Sequence, residues 1–174
     1  MHKVIIIFAL VCAGLQVKAQ DPVIQKFYRT YTELENVEDI QIKGWILKLA
    51  GRYVDEKGVA STLQKISKLR VMTIDDGNTV TNQAYNSLVR QVRNRQFEDL
   101  IQFKDRDSAI QVMIREKKNR ITDVLMLING DDSFTLLSLE GALKFSDLKS
   151  LNIDVEGGEH FKKIPARRKD IPQA

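Results

Sequence analysis

Residues 121–141, ITDVLMLINGDDSFTLLSLEG, limit the fold more than any other stretch of the chain. Val124 to Ile128 is five consecutive apolar residues. A run without polar alternation predicts a strand covered on both faces. Asn129-Gly130-Asp131-Asp132-Ser133 follows. Asn and Gly tolerate positive φ, and Asp and Ser bond their own backbone, so this is read as a tight turn, in which Gly130 matters more than Asp132 and resists Val if it sits at φ > 0. Phe134 to Leu139 returns as the second strand of a hairpin. The hairpin places the fold without naming a reaction.

Periodicity supplies the other elements. Asp21-Pro22 suits a helix start, Asp as cap and Pro in the first turn. Ile24, Phe27, Tyr28, Tyr31 and Leu34 then repeat every three or four residues, predicting a helix over 22–36 whose aromatic stripe packs in the core. Ile40 and Ile42 alternate with polar neighbours as a short strand. Gly44 ends it, and Trp45, Ile46, Leu49 and Ala50 fit a short helix, with Trp45 read as a core or subdomain contact. A further short helix is expected over 59–65 and a strand over 68–74. Val80, Ala84, Leu88 and Val92 predict a helix over 81–95. From Phe97 the period falls to two. Residues 97–103 and 110–114 read as strands leading into the hairpin, an antiparallel meander. Leu143, Phe145, Leu148 and Leu151 suggest a last short helix near Ser146. The expectation is an α+β domain: an antiparallel sheet of about five strands, helices packed on one face, compatible with a ferredoxin-like variant.

The ends of the chain point to export. Lys3, the apolar run Val4 to Leu10, and Val17-Lys18-Ala19 before Gln20 have the form of a signal peptide, residues 1–19, too short to span a bilayer comfortably. Cys12 is the only cysteine, and Ala9-Leu10-Val11 before it lacks the small residues of a lipid-attachment motif. After a cut before Gln20 no disulfide is available, although the compartment permits one. Lys3 and Lys18 leave with the signal, so the formal charge falls from +4 to +2. The domain is expected over 20–157. Residues 158–174, with Lys162, Lys163, Arg167, Arg168 and Lys169, read as a flexible basic tail that leaves peripheral contact with an anionic membrane open. An exported chain whose basic tail has no interleaved aromatic residue beyond Phe161 is a poor nucleic-acid binder.

The run ISKLRVMTID, the later VLMLINGDDSFTLLSLEGALKFSDL, and the order of elements resemble the domain-of-unknown-function family 4252. The resemblance covers residues 24–151 and rests on Val124–Ile128, Asp131–Asp132, Phe134–Leu139, Gly141 and Asp147–Leu148. It implies a small exported or lipid-anchored protein of Bacteroidetes-type bacteria, an envelope location and an α+β domain. It supplies no catalytic residue, and the poor motif around Cys12 departs from the lipid-anchored members.

Chemical motifs are sparse. His160 is the sole histidine after the cut, it sits in the tail, and no G-x-S-x-G elbow accompanies it. Clustered Cys and His for zinc, a Walker loop and G-x-G-x-x-G are all missing from the sequence. Asp75-Asp76 and Asp131-Asp132 stand beside glycines. Neither has the D-x-D-x-D-G spacing of a Ca²⁺ loop, and exposed turns do not raise a carboxyl pKa for acid–base work. Both pairs are read as turn residues. No catalytic, cofactor-binding or metal residue is assigned. Two readings result: a non-catalytic exported envelope domain that binds a protein partner or ligand, or an envelope hydrolase with an unrecognised carboxylate site.

Overall fold

The structure, a computed structural model, describes residues 21–104 and 108–151. The segments read above as a signal peptide (1–19) and a basic tail (158–174, with His160), and residues 105–107, lie outside them. Among the described residues five helices and six strands follow in the order α1 (Pro22–Tyr31), β1 (Val37–Lys43), α2 (Gly44–Ala50), α3 (Lys57–Leu63), β2 (Ile66–Ile74), α4 (Asn82–Arg93), β3 (Glu98–Lys104), β4 (Ser108–Lys117), β5 (Arg120–Gly130), β6 (Phe134–Leu143) and α5 (Phe145–Ser150). The strands form one antiparallel sheet in the order β1-β2-β6-β5-β4-β3. The fold is α+β with an antiparallel meander, as the sequence predicts, with one strand more. The ferredoxin-like expectation takes a wider form. β2 and β3 run the same way, joined through α4, but three strands rather than one lie between them.

The central run behaves as its composition requires. Leu125 and Met126, adjacent in sequence and pointing to opposite faces, are both 0% exposed. Leu125 and Leu127 join Met72, Met113, Phe134 and Leu136 in one core, closed by Ile24, Phe27 and Tyr28 of α1 and Leu88, Val89 and Val92 of α4. Val124, Met126 and Ile128 join Val112, Leu137 and Leu139 in a second core, to which Leu47 of α2 and Phe145 and Leu148 of α5 belong. Helices therefore stand on both faces of the sheet rather than one. Two-sided burial of β5 demands it, because an uncovered face would leave this row of apolar side chains in water.

Turn chemistry departs from expectation. Gly130 closes β5, its N–H donating to the Ser133 carbonyl at 2.9 Å, and it does not have positive φ. The paired positive-φ residues of a primed hairpin turn are instead Lys118 (50°) and Asn119 (58°), between β4 and β5. Gly77 is the positive-φ glycine, at 120°, preceded by Asp76 at 58°. The first helix is shorter than its stripe: it ends at Tyr31, and Leu34 is exposed.

Two outcomes follow from these packing and turn assignments. Leu125→Ala should cost roughly 2–5 kcal/mol in urea denaturation, the range for core truncation. A loss inside the surface range, below about 0.5 kcal/mol, would show that β5 is not buried on this face. Gly77→Val should lower the melting temperature more than Gly130→Val, since only Gly77 occupies backbone space that a β-branched residue resists.

Candidate functional site

The structure brings the two acidic turns together. Ile74 pairs with Phe134, so Asp75-Asp76-Gly77-Asn78 and Asn129 to Ser133 share one end of the sheet. Gly77 N–H donates to the Asp132 carbonyl at 3.0 Å. Carboxamides do most of the tying. Asn78 Nδ2 donates to Asn129 Oδ1 (2.9 Å) and the Gly130 carbonyl (2.7 Å), and its Oδ1 accepts from Val80 N–H (2.9 Å). Asn36 Nδ2 donates to the Asp75 and Gly77 carbonyls (2.9 and 3.3 Å). The Asp residues lend turn backbone and not a shared carboxylate shell. Among the described residues no three His, Cys, Asp or Glu side chains are grouped to hold a metal.

Beside this rim runs a groove of about 530 Å³, bordered by Tyr85, Asn86, Gln102, Phe103, Asn129 and Asp131. Its volume is that of a small-ligand site. Tyr85 OH donates to Gln111 Oε1 (3.0 Å), Gln111 Nε2 to Asp99 Oδ1 (2.5 Å), and Asp99 Oδ2 accepts from Arg93 Nη2 (2.7 Å). Burial, with help from the Asp99 charge, pushes the Tyr85 phenol above its ordinary value. A phenol held neutral and an anchored amide are groups for hydrogen bonding, not for taking up a proton near pH 7.

At the opposite end lies the densest cluster of ion pairs among the described residues, which the sequence does not disclose. Asp21, at the N-cap of α1, accepts from Val23 N–H at 3.0 Å. It also takes Arg95 Nε and Arg115 Nη1, each at 2.7 Å. Arg115 grips Asp123 with Nε and Nη2, both at 2.9 Å, and lies over the Phe97 ring at 4.7 Å. Thr122 Oγ1 reaches Asp123 Oδ2 at 2.6 Å. Next to it a cleft of about 340 Å³ is lined by Lys65, Arg115, Lys117, Asp123 and Glu140, the last two facing each other across β5 and β6. For Asp21, burial works to raise the carboxyl. The hydrogen bonds from Arg95 and Arg115, with that from Val23, outweigh burial and hold it below its ordinary value. Burial opposes the Arg115 charge, and Asp123 and Asp21 more than offset it, raising the guanidinium. This is the reverse of a general acid's environment. A sequence signal existed only in part, because the Asp-Pro start fits a cap without naming the arginines that meet it.

The remaining feature is apolar and exposed. Trp45 is 65% exposed and Tyr53 83%, with Ile46 and Leu49 outward beside them and Ile40 on β1 at 56%. The core reading of Trp45 is therefore corrected. Gly44 sets the roll of α2: a Cβ there would stand 2.7 Å from the Ile66 and Ser67 carbonyl oxygens, so only glycine seats against β2. With Gly44 and Leu47 facing inward, Trp45 and Leu49 fall on the opposite side of the turn. Sequence periodicity names the helix. It does not give its roll, since apolar residues lie all round it.

The model of a family described as Domain of unknown function (DUF4252) matches residues 31–151. No curated protein and no solved structure matches the chain.

The charge cluster makes a pH-dependent prediction. Asp21 favours the folded state through its ionised form, so this stability is present above the ordinary carboxyl value of 3.8 and is lost as pH falls through the lower folded value. Asp21→Asn should cost about 1.5–3 kcal/mol at neutral pH, the range for hydrogen bonds to a charged group. The gap between the two proteins should close in acid. Urea midpoints taken across pH check this, and a gap that stays constant into acid would contradict the assignment.

Proposed function

The chain belongs to this family of unknown function, and we propose that it is an exported, non-catalytic domain of the bacterial cell envelope that binds a protein partner. Export rests on the signal-like residues 1–19 and the site before Gln20. Binding rests on one observation: the exposed group Ile40, Trp45, Ile46, Leu49 and Tyr53. Apolar and aromatic side chains gathered in water mark an interaction surface, and Trp and Tyr are the residues that most often anchor one. Lys48 and Arg52, neighbours of these residues in sequence, are exposed too, a composition suited to an interface edge. Among the described residues no helix is long and apolar enough to cross a membrane. The basic residues of 158–174 provide a second route to an anionic membrane surface.

The hydrolase reading has the Asp123–Glu140 cleft in its favour, as two carboxylates facing each other are the raw material of acid–base catalysis. Asp123 is already held by both arms of Arg115, and that engagement supports a structural part for it.

Crosslinking in the native envelope tests the binding reading. The full chain should capture a defined set of proteins, and Trp45→Glu should lose that set while melting at the same temperature, because Trp45 buries little. If Trp45→Glu captures the same proteins, the surface is not the one used. If the protein hydrolyses envelope polymers and Asp123→Asn abolishes this without loss of folding, the enzyme reading replaces it.

A further inference from the structure

We propose that the surface beside α2 is an interface between two copies of this chain, formed by antiparallel pairing of β1 with β1 across a two-fold axis through Gln41. This rests on the binding reading above and names the partner. β1 is an edge strand, and most of its side chains are exposed. An open edge offers a row of backbone donors and acceptors to a further strand. β1 is also the regular edge. It pairs with β2 without a break in register from Val37–Ile74 to Lys43–Lys68. The other edge, β3, carries an irregularity between Asp99 and Ile101, and Asp99 is engaged by Arg93 and Gln111. Irregular edges bend away from such pairing.

The side chains of β1 select the register. A two-fold axis normal to the sheet keeps each face continuous from copy to copy. Centred on Gln41, it sets Ile40 opposite Ile42 of the second copy, and Lys43 opposite its Asp39, each twice. Both are favourable cross-strand pairs. Ile40 and Ile42 lie on the face of Leu69 and Val71, their partners on β2, so the apolar core continues across the axis. Asp39 and Lys43 lie on the other face, where Asp39 already accepts two bonds from Arg70, each 2.7 Å. A carboxylate has room for a third donor. Lys43 makes no ion pair among the described residues. Shifting the axis to Ile40 sets Ile42 against Glu38, and shifting it to Ile42 sets Gln41 against Lys43. Neither alternative pairs both the apolar and the charged residues. In the Gln41 register the start of α2 meets the Val37–Glu38 end of the second strand.

The register gives a sharp test. Opposed residues in antiparallel strands have Cα atoms about 4.5–5.5 Å apart, within disulfide reach, and residues two positions out of register do not. In a full-length chain carrying Cys12→Ser, the introduced cysteine is the only one. Gln41→Cys should form a disulfide-linked dimer on oxidation, and Ile40→Cys should not. Light scattering of the unmodified chain should give twice its 19.9 kDa mass. Ile40→Lys should return it to the single mass with the same far-UV circular dichroism, and its melting temperature should lose the dependence on protein concentration that the dimer shows. A single mass together with no disulfide at Gln41→Cys overturns the proposal, as does equal crosslinking at the two positions. In that event, Trp45→Glu still losing a different envelope protein leaves the binding reading standing, and Trp45→Glu losing nothing removes both.

Discussion

Burial of β5 from both sides organises the molecule. Leu125 and Leu127 enter the core closed by α1 and α4, while Val124, Met126 and Ile128 enter the core on the opposite face. Each face of a strand in mid-sheet also extends onto its neighbours. Leu125 therefore stands beside Met113 and Ser138, and Met126 beside Val112 and Leu137. Once this row is apolar on both faces, the flanking strands must supply apolar residues of matching parity, and helices must be divided between two layers. The wide crossover from β2 through α4 to β3 carries the larger cover to one side. The short helices around β1, β2 and the end of β6 serve the other.

Polar residues fix how these layers sit. The Tyr28 hydroxyl, in the core under α1, is within hydrogen-bond reach of the Arg70 and Leu136 carbonyls and Ser138 Oγ (3.1, 3.3 and 3.0 Å). Burial raises its phenol far above the ordinary 10.0, so it stays a neutral donor. Arg70 covers the ring at 3.9 Å and pairs with Asp39, which ties α1 to β2 and β2 to β1 in one chain of contacts. Asp21 does the same at the start of α1, joining it to Arg95 after α4 and to Arg115 on β4. At the far side Lys65 meets Asp147 at 2.6 Å, and Asp147 also caps α5 by accepting from Lys144 N–H. These side chains are accounted for by structure. The exposed apolar residues of α2 and the edge of β1 are not, and the proposed interface is placed there, away from the clefts whose side chains have internal partners.

The sequence by itself determined the elements, their kinds and much of their order. Five apolar residues in Val124–Ile128 leave little but a strand buried on two faces, and the stripes at Ile24–Phe27–Tyr28 and Leu88–Val92 leave little but amphipathic helices, because these periods are local properties of the backbone. The turn residues were legible as turns, but not in their geometry. Asn129-Gly130 has the composition of a primed turn, yet the positive φ angles fall at Lys118-Asn119, where the register of β4 on β5 requires them. Tertiary structure alone decided which charges meet. Asp21 and Arg115 are far apart in the chain, and no spacing rule foretells an ion pair made by packing a helix cap on a sheet. It also decided that Trp45 points to solvent. The backbone of β2 at Ile66 and Ser67 admits only a glycine at position 44, and that contact, invisible in any local pattern, turns Leu47 to the core and Trp45 away from it.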